Sequence, residues 1–221
     1  MFKHQHPYPP FIPEGTKKLI VGTLPPPRFT TGELKPDDVD FCYGSRDGQL
    51  WRILEGVFDV TLLYDNSEEA TNQRIQLLEK HNLGVCDMVE YAFREEINAS
   101  DLGIQDPVLR PMVSILKEHP SIEMLLFTGG NSKNGPEYFF RRHLLEYPEI
   151  EFVCINDEVP RIHQFELESR TIKTVSLTAP SGAANRAVGS MKLYKKFKKE
   201  NPELNTIDFR VRQYAPFFLS E

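Results

Sequence analysis

Apolar runs alternate along this chain with amphipathic stretches, and this alternation predicts the fold class. Short apolar runs are typical of buried strands, whereas apolar residues spaced three and four apart are typical of helices. Strands are predicted at 18–22, 83–89, 122–127, 151–155, 162–168 and 172–177, with a strand-like tail at 206–218. Helices are predicted at 49–58, 67–81, from Asp106-Pro107 onward, at 136–145 and at 184–200. Strands alternating with helices predict an α/β protein whose mostly parallel sheet is covered on both faces.

Length and composition favour one folded unit. The 221 residues contain no internal repeat or low-complexity linker, which predicts a single domain over 1–221 with a proline-rich N-terminal lead-in at 1–16. No apolar run approaches the ~18 residues of a membrane span, and the lead-in lacks the apolar segment of a secretory signal. The three cysteines are too scattered for a C-x-x-C metal knuckle. We therefore expect a cytoplasmic protein with reduced thiols and no membrane contact.

The net charge of −6 limits how this protein can contact nucleic acid. Proteins that coat DNA non-specifically are usually basic, but an enzyme needs only a local positive face. The last predicted helix carries Lys192, Lys195, Lys196, Lys198 and Lys199. These lysines are either a solvated face near a helix C-terminus, where positive charge is favourable, or that local basic patch.

Three loops rich in glycine, proline and small polar residues leave the ends of predicted strands. They are 22–27, 128–132 and 178–185. In parallel α/β sheets, ligands bind beyond the carboxyl ends of the strands. The three loops therefore predict one pocket at that edge, although each alone is also compatible with an ordinary turn.

An ordered set of motifs carries a family resemblance. The first motif of the family has the form G-x-x-P, and residues 22–26, Gly-Thr-Leu-Pro-Pro, resemble it. In two branches of the family an aromatic residue precedes a Phe-Trp pair, and here Tyr43 precedes Leu50-Trp51 in the same way. Residues 83–89, 126–130 and 179–186 are similar to the later core strands and the second signature loop. The chain thus resembles the uracil-DNA glycosylase superfamily, nearest to its mismatch-specific and hypoxanthine-type branches.

The resemblance implies a three-layer α/β/α sandwich around a central, mainly parallel four-stranded sheet. It implies a monomer that acts on DNA containing a damaged or deaminated base, with no metal and no cofactor. Because a base inside a duplex cannot be reached, it also implies that the target nucleotide is flipped out.

The resemblance assigns base-binding roles to five residues. Tyr43 would stack on the extruded base, the alternative being a core tyrosine beside Phe41. Gly22, with the backbone of Thr23 and Leu24, would let the nucleotide approach closely, and a strand-terminating turn would have the same geometry. Asp87 would read the Watson–Crick edge of the base, or else cap the residues that follow it.

The second signature loop is expected to hold the DNA strand. Ser181, Gly182, Asn185 and Arg186 lie at the start of a predicted helix, where backbone N–H groups suit a phosphate. The alternative is simple capping of that helix.

The chain departs from the family where catalysis is expected. The two positions at which relatives carry Asp or Asn are Leu24 and Gly48 here, and neither can stabilise a cation or activate water. Asp47 is therefore the predicted catalytic residue, with Asp40 as a second candidate and a turn role as the alternative. Three hypotheses follow: a monofunctional DNA glycosylase, a module of the same fold that binds a base without cleaving it, and a flavodoxin-like hydrolase with another substrate.

Overall fold

The computed structural model describes residues 1–96 and 100–220. Its strands are β1 (Phe2–Gln5), β2 (Lys18–Val21), β3 (Leu83–Val85), β4 (Val89–Arg94), β5 (Gln105–Leu109), β6 (Met124–Phe127), β7 (Val153–Asn156), β8 (Arg161–Leu167) and β9 (Arg170–Ser176). Its helices are α1 (Pro27–Thr31), α2 (Leu50–Phe58), α3 (Glu68–Lys80), α4 (Met112–Glu118), α5 (Pro136–Leu144), α6 (Asn185–Ser190), α7 (Lys192–Glu200) and α8 (Thr206–Phe218). Short 3-10 turns lie at Asp101–Gly103 and Gly182–Ala184.

A six-stranded sheet of order β3-β2-β6-β9-β8-β7 forms the centre. The first four strands of that order are parallel, and β8 and β7 extend the sheet through antiparallel pairing. The predicted four-stranded parallel core is therefore confirmed.

Alternate side chains of the central strands build two cores, one on each face of the sheet. Ile20 packs on one face with residues of α2, α3 and α8. Leu19 and Val21 pack on the other with residues of α4 and α5. Because β2 and β6 bury residues on both faces of the sheet, helices cover both sides, and the three-layer α/β/α prediction is also confirmed.

The predicted N-terminal lead-in contains a strand. β1 pairs antiparallel with β4, and β4 pairs antiparallel with β5, in a second sheet of three strands. Alternation along this segment buries His4 and His6 and leaves Gln5 exposed. The segment therefore delivers two imidazoles to the interior.

The tail at 206–218 is a helix, so the strand prediction was wrong there. Ile207, Phe209 and Val211 alternate as in a strand, but Asn205 and Asp208 form a capping box that starts α8. The cap satisfies the free backbone N–H groups of the first turn, and the buried residues of α8 then pack against the rest of the protein.

Three other elements differ from the prediction. The stretch from Asp106 is strand β5, and the helix begins only at Met112, after Pro111. The predicted helix 184–200 breaks at Met191, whose extended ψ of 135° separates α6 from α7. The predicted strand 83–89 divides between the two sheets. Over the residues that the structure describes, no helix has the length and apolar character needed to cross a membrane.

Candidate active site

A cavity of about 660 Å³ lies at the carboxyl edge of the parallel strands. The loops after β2 and β9 line it through residues 22–26 and 179–183, and Thr128 adds the loop after β6. The segment around Tyr43 closes another side. The three loops predicted to meet do meet, because parallel strands bring their carboxyl ends to one edge.

A tight turn presents Tyr43 to this cavity. Tyr43 has a left-handed φ of 57°, an arrangement that costs roughly 1–3 kcal/mol for a residue other than glycine. Gly44 follows, and a Cβ on it would lie 1.9 Å from the carbonyl oxygen of Val39, so the turn requires glycine. The indole of Trp51 donates to the carbonyl of Cys42 at 3.0 Å and fixes the turn from behind. Tyr43 is half-buried and lines the cavity, while its ring also packs on the core.

The hydroxyl of Tyr43 is held by a buried carboxylate. It donates to Asp87 Oδ1 at 2.9 Å and lies 3.2 Å from the Thr128 hydroxyl. The backbone N–H of Gly22 donates to the same carboxylate oxygen at 2.9 Å. His6 Nε2 lies 3.1 Å from Asp87 Oδ2. Hydrogen bonds to Asp87 thus connect the end of β2, the turn that carries Tyr43 and the N-terminal segment.

The proton on His6 can be placed from its partners. The backbone N–H of Tyr8 donates to His6 Nδ1 at 3.1 Å, so Nδ1 carries no proton and Nε2 donates to Asp87. Burial alone would raise the pKa of Asp87, but the hydrogen bonds from His6, Tyr43 and Gly22 outweigh it and hold that pKa below its ordinary value. Burial, followed by the charge of Asp87, raises the pKa of Tyr43 well above its ordinary value. The pair is therefore a carboxylate and a neutral phenol at pH 7.

Gly22 allows this cluster to close. A Cβ at this position would lie 2.3 Å from the Tyr43 hydroxyl and 2.9 Å from Asp87 Oδ1. No side chain fits there without moving those groups.

Asp47 stands at the cavity wall next to a buried ion pair. Arg28 makes two 2.7 Å hydrogen bonds to Asp38, and the same guanidinium reaches Ser45 Oγ at 2.8 Å and Asp47 Oδ2 at 3.4 Å. Burial opposes ionisation of Asp38, but Arg28 and the backbone N–H groups of Arg46 and Lys35 lower its pKa to about 2. The side chain of Asp47 is 67% exposed, so it is open to the cavity and to solvent.

The second signature loop, residues 179–186, is hydrogen-bonded to the segment that follows Tyr43. Gly48 and Ser181 form an antiparallel bridge, and the N–H of Gln49 donates to the Pro180 carbonyl at 2.8 Å. The fully buried Arg210 of α8 donates to Gln49 Oε1 at 2.9 Å and to Asn185 Oδ1 at 2.8 Å. The Ser181 hydroxyl caps the 3-10 turn by accepting from the Ala184 N–H.

The structure brings most of the predicted site residues together. The cavity is lined by Gly22, Thr23, Leu24, Tyr43, Asp47, Asp87, Ser181 and Gly182. Asn185 and Arg186 lie just beyond the lining on α6, where Asn185 is bound to Arg210 and Arg186 is exposed. Asp40 binds the Tyr8 hydroxyl at 2.7 Å and is not among the lining residues that the structure describes.

Sequence reasoning missed His6, Arg28 and Arg210, which hold the site from behind. The His4-Gln5-His6 alternation is the only local signal for the first of these. Among the residues covered by the structure, no group of three or more His, Cys, Asp or Glu side chains is placed to hold a metal ion.

Comparison with known proteins identifies relatives in sequence and in fold. No family model matches the chain. Over 126 residues it is 29% identical to a hypoxanthine DNA glycosylase from Methanosarcina barkeri (strain Fusaro / DSM 804), a match that spans 57% of this chain and 71% of that protein. The solution structure of a candidate uracil DNA glycosylase from Methanosarcina acetivorans aligns with a TM-score of 0.54 at 15% identity, over 95% of this chain and 99% of that one. The resemblance predicted from the sequence is therefore confirmed: the chain is similar in sequence to a hypoxanthine-type member of the uracil-DNA glycosylase superfamily and has the fold of a candidate uracil DNA glycosylase.

Proposed function

We propose that this protein is a monofunctional DNA glycosylase that flips a deaminated base, such as uracil or hypoxanthine, into the cavity and hydrolyses its N-glycosidic bond. The observation that carries the proposal is the cavity of about 660 Å³ with an aromatic wall and an open carboxylate. Its volume lies within the roughly 300–1,000 Å³ of small-molecule sites. The relatives named as DNA glycosylases support the same reaction class.

Tyr43 supplies the stacking wall in this proposal. Its ring is fixed at both ends, by the backbone turn and by the Asp87 hydrogen bond. A base that stacks on a fixed ring gains affinity without first ordering the protein. Gly22, Thr23 and Leu24 line the cavity beside this wall, and the proposal places the nucleotide against their backbone.

Asp47 is the proposed catalytic group. Of the described residues that line the cavity, two carry carboxylates, Asp47 and Asp87. Asp87 is buried and accepts from three donors, whereas Asp47 is exposed. Glycosidic cleavage develops positive charge on the sugar and requires a positioned water, and an accessible carboxylate serves both needs. Asp87 keeps a proposed part in base reading through the Tyr43 hydroxyl that it orients.

A second candidate function is binding of a base without cleavage. The specific observation in its favour is that Leu24 and Gly48 stand where relatives carry Asp or Asn, and both line the cavity. In that case Asp47 would serve only as a partner of Arg28, at 3.4 Å.

Base release from defined oligonucleotides separates the two functions. Duplexes containing uracil or hypoxanthine are incubated with protein and treated with alkali, which breaks the strand at an abasic site. We expect strand breaks with the wild-type protein and at least a hundred-fold slower release with Asp47→Asn, the scale typical of a lost acid–base or electrostatic group.

Asp37 provides the matched control. It lies in the same segment, its side chain is 68% exposed, and it pairs with Arg46 at 3.8 Å. Asp37→Asn removes the same charge and should leave base release unchanged. Binding of either duplex without any abasic product would favour the second function. Equal loss in both variants would exclude a specific role for Asp47.

A further inference from the structure

Helix α7 is fixed in rotation by aromatic contacts on one side. Tyr194 packs edge-on against Phe209 of α8 with ring centroids 5.6 Å apart, and Phe197 packs on the same ring at 6.3 Å. These rings form the small core that also contains Val188 and Leu204.

The opposite side of α7 is uniformly basic. At 3.6 residues per turn, Lys192, Lys195, Lys196 and Lys199 fall within an arc of about 100°, which we call the lysine stripe. All four are exposed. In the part of the chain that the structure describes, none of the four makes a salt bridge or a side-chain hydrogen bond, whereas Lys198 donates to the Leu204 carbonyl at 2.7 Å.

Helix stability does not explain this arrangement. Within the stripe, residues three and four apart carry like charges and repel one another. Lys192 is the first residue of α7, where the helix dipole disfavours a cation, and the first turn contains no acidic residue. A favourable charge at the helix C-terminus accounts for Lys198 and Lys199 alone. Because the charges of the stripe repel one another in the free protein, we expect the stripe to be stabilised by a polyanionic partner.

The lysine stripe is connected to the cavity through α6. Gly182 lines the cavity, and α6 begins at Asn185 and leads directly into α7. The six residues of α6 span about 9 Å. Two consecutive residues of α8 contact both α7 and the start of α6, because Phe209 packs on α7 and Arg210 binds Asn185.

We propose that the lysine stripe binds backbone phosphates of duplex DNA beside the nucleotide held in the cavity. The proposal rests on the proposed function. From Lys192 to Lys199 the stripe covers about 10 Å of helix, the axial length of roughly three phosphates on one DNA strand. It supplies a local positive face on a protein whose net charge is −6.

Salt-dependent binding to an undamaged duplex tests the proposal without requiring any base release. Affinity for a fluorescent duplex of about 25 base pairs is measured by anisotropy between about 50 and 200 mM salt, a range over which phosphate contacts weaken strongly. Replacing two stripe lysines, K195Q/K199Q, should reduce the slope of log affinity against log salt by about 1.8, since each phosphate contact contributes about 0.9.

A matched control removes two lysines from the far edge of the sheet. Lys80 ends α3 and Lys117 lies in the last turn of α4, and both helices lead into the amino ends of parallel strands. K80Q/K117Q changes the net charge by the same amount and should keep the wild-type slope. Urea unfolding of both variants checks that each is folded.

The results separate this proposal from the proposed function. Equal slopes for the stripe and control variants would overturn the stripe proposal even if uracil or hypoxanthine is released. A slope that falls only in K195Q/K199Q supports it even if no base is released. Binding to anionic lipid vesicles with no affinity for the duplex would also overturn it.

Discussion

The Tyr43 hydroxyl and the Asp87 carboxylate lie 2.9 Å apart, and this contact connects the aromatic wall of the cavity to the N-terminal segment. The other oxygen of Asp87 accepts from His6, whose Nδ1 is in turn bound to the backbone of Tyr8. A strained tyrosine is therefore held in place by a chain of hydrogen bonds that starts in the N-terminal segment, far upstream in the sequence. The position of this wall is therefore fixed by the protein itself.

Two substitutions at Tyr43 separate its ring from its hydroxyl. Tyr43→Phe keeps the ring but leaves the buried Asp87 with one fewer donor, and we expect a loss of about 1.5–3 kcal/mol in the free energy of unfolding. Tyr43→Ala also removes the stacking surface, which should weaken binding of a uracil-containing oligonucleotide by roughly 5- to 150-fold, the equivalent of ~1–3 kcal/mol. Urea unfolding and fluorescence titration measure the two effects. Equal loss of affinity in both variants would show that the hydroxyl, not the ring, binds the base.

Two glycine-to-alanine substitutions test the close packing at Gly22. A methyl group at Gly22 would lie 2.3 Å from the Tyr43 hydroxyl, so Gly22→Ala must displace the tyrosine or the strand end. We expect a loss of about 1–3 kcal/mol in stability, as for other overpacked sites. Gly182→Ala is the control, since nothing lies within 4 Å of the position that its methyl group would occupy, and its stability should change by less than about 0.5 kcal/mol. Similar stabilities for the two variants would contradict the tight geometry at Gly22.

Arg210 should control the order of the signature loop. Burial lowers its pKa, and in the described chain it is bonded to amide and carbonyl oxygens rather than to a carboxylate. Arg210→Met keeps the apolar bulk and removes the donors to Gln49, Asn185 and the Ser181 carbonyl. We expect a loss of about 1–3 kcal/mol in stability and faster amide hydrogen exchange in residues 181–185. Unchanged exchange there would mean that the Gly48–Ser181 bridge and the other backbone contacts of the loop order it without Arg210.

The sequence predicts those parts of the fold that local patterns control. β2 and β6 are almost entirely apolar in sequence and lie in the interior, and Ser67 caps α3 by accepting from the Ala70 N–H. At the tail two local signals conflict. Apolar residues at 207, 209 and 211 alternate as in a strand, but the Asn205–Asp208 capping box and packing against the core favour the helix that forms.

The site could be predicted only where a motif carries it. Gly22, Tyr43 and the 181–182 loop belong to ordered motifs and do line one cavity. Their supporting contacts are distant in sequence: His6 lies 81 residues from Asp87, and Arg210 lies 161 residues from Gln49. Such contacts depend on which strands and helices become neighbours, and β1 joins β4 through a pairing that no local pattern specifies.

The buried imidazole of His4 should make the protein less stable in mild acid. It is fully buried, and its Nδ1 accepts from Arg94 Nε at 2.7 Å. Burial, followed by the positive charge of Arg94, lowers the pKa of His4 to about 4 from 6.5. Between these two pH values His4 is protonated in the unfolded chain but neutral in the folded protein. The free energy of unfolding therefore falls as the pH drops from 6.5 to 4. The contribution of His4 over this window is about 3 kcal/mol.

His4→Asn isolates this effect, because an amide oxygen can accept from Arg94 in place of Nδ1 and does not titrate. Urea unfolding at several pH values from about 7 down to about 4.5 should show the wild-type protein losing more stability than the variant. Burial also lowers the pKa of His81, His143 and His163, so the variant keeps part of the slope and the difference between the two curves reports His4. Carboxyl groups with a lowered pKa, such as those of Asp87 and Glu137, lose their stabilising charge only as the pH falls below about 4. Parallel curves for the two proteins would show that the Arg94–His4 contact tolerates a proton, and the N-terminal strand would then not be the acid-sensitive element.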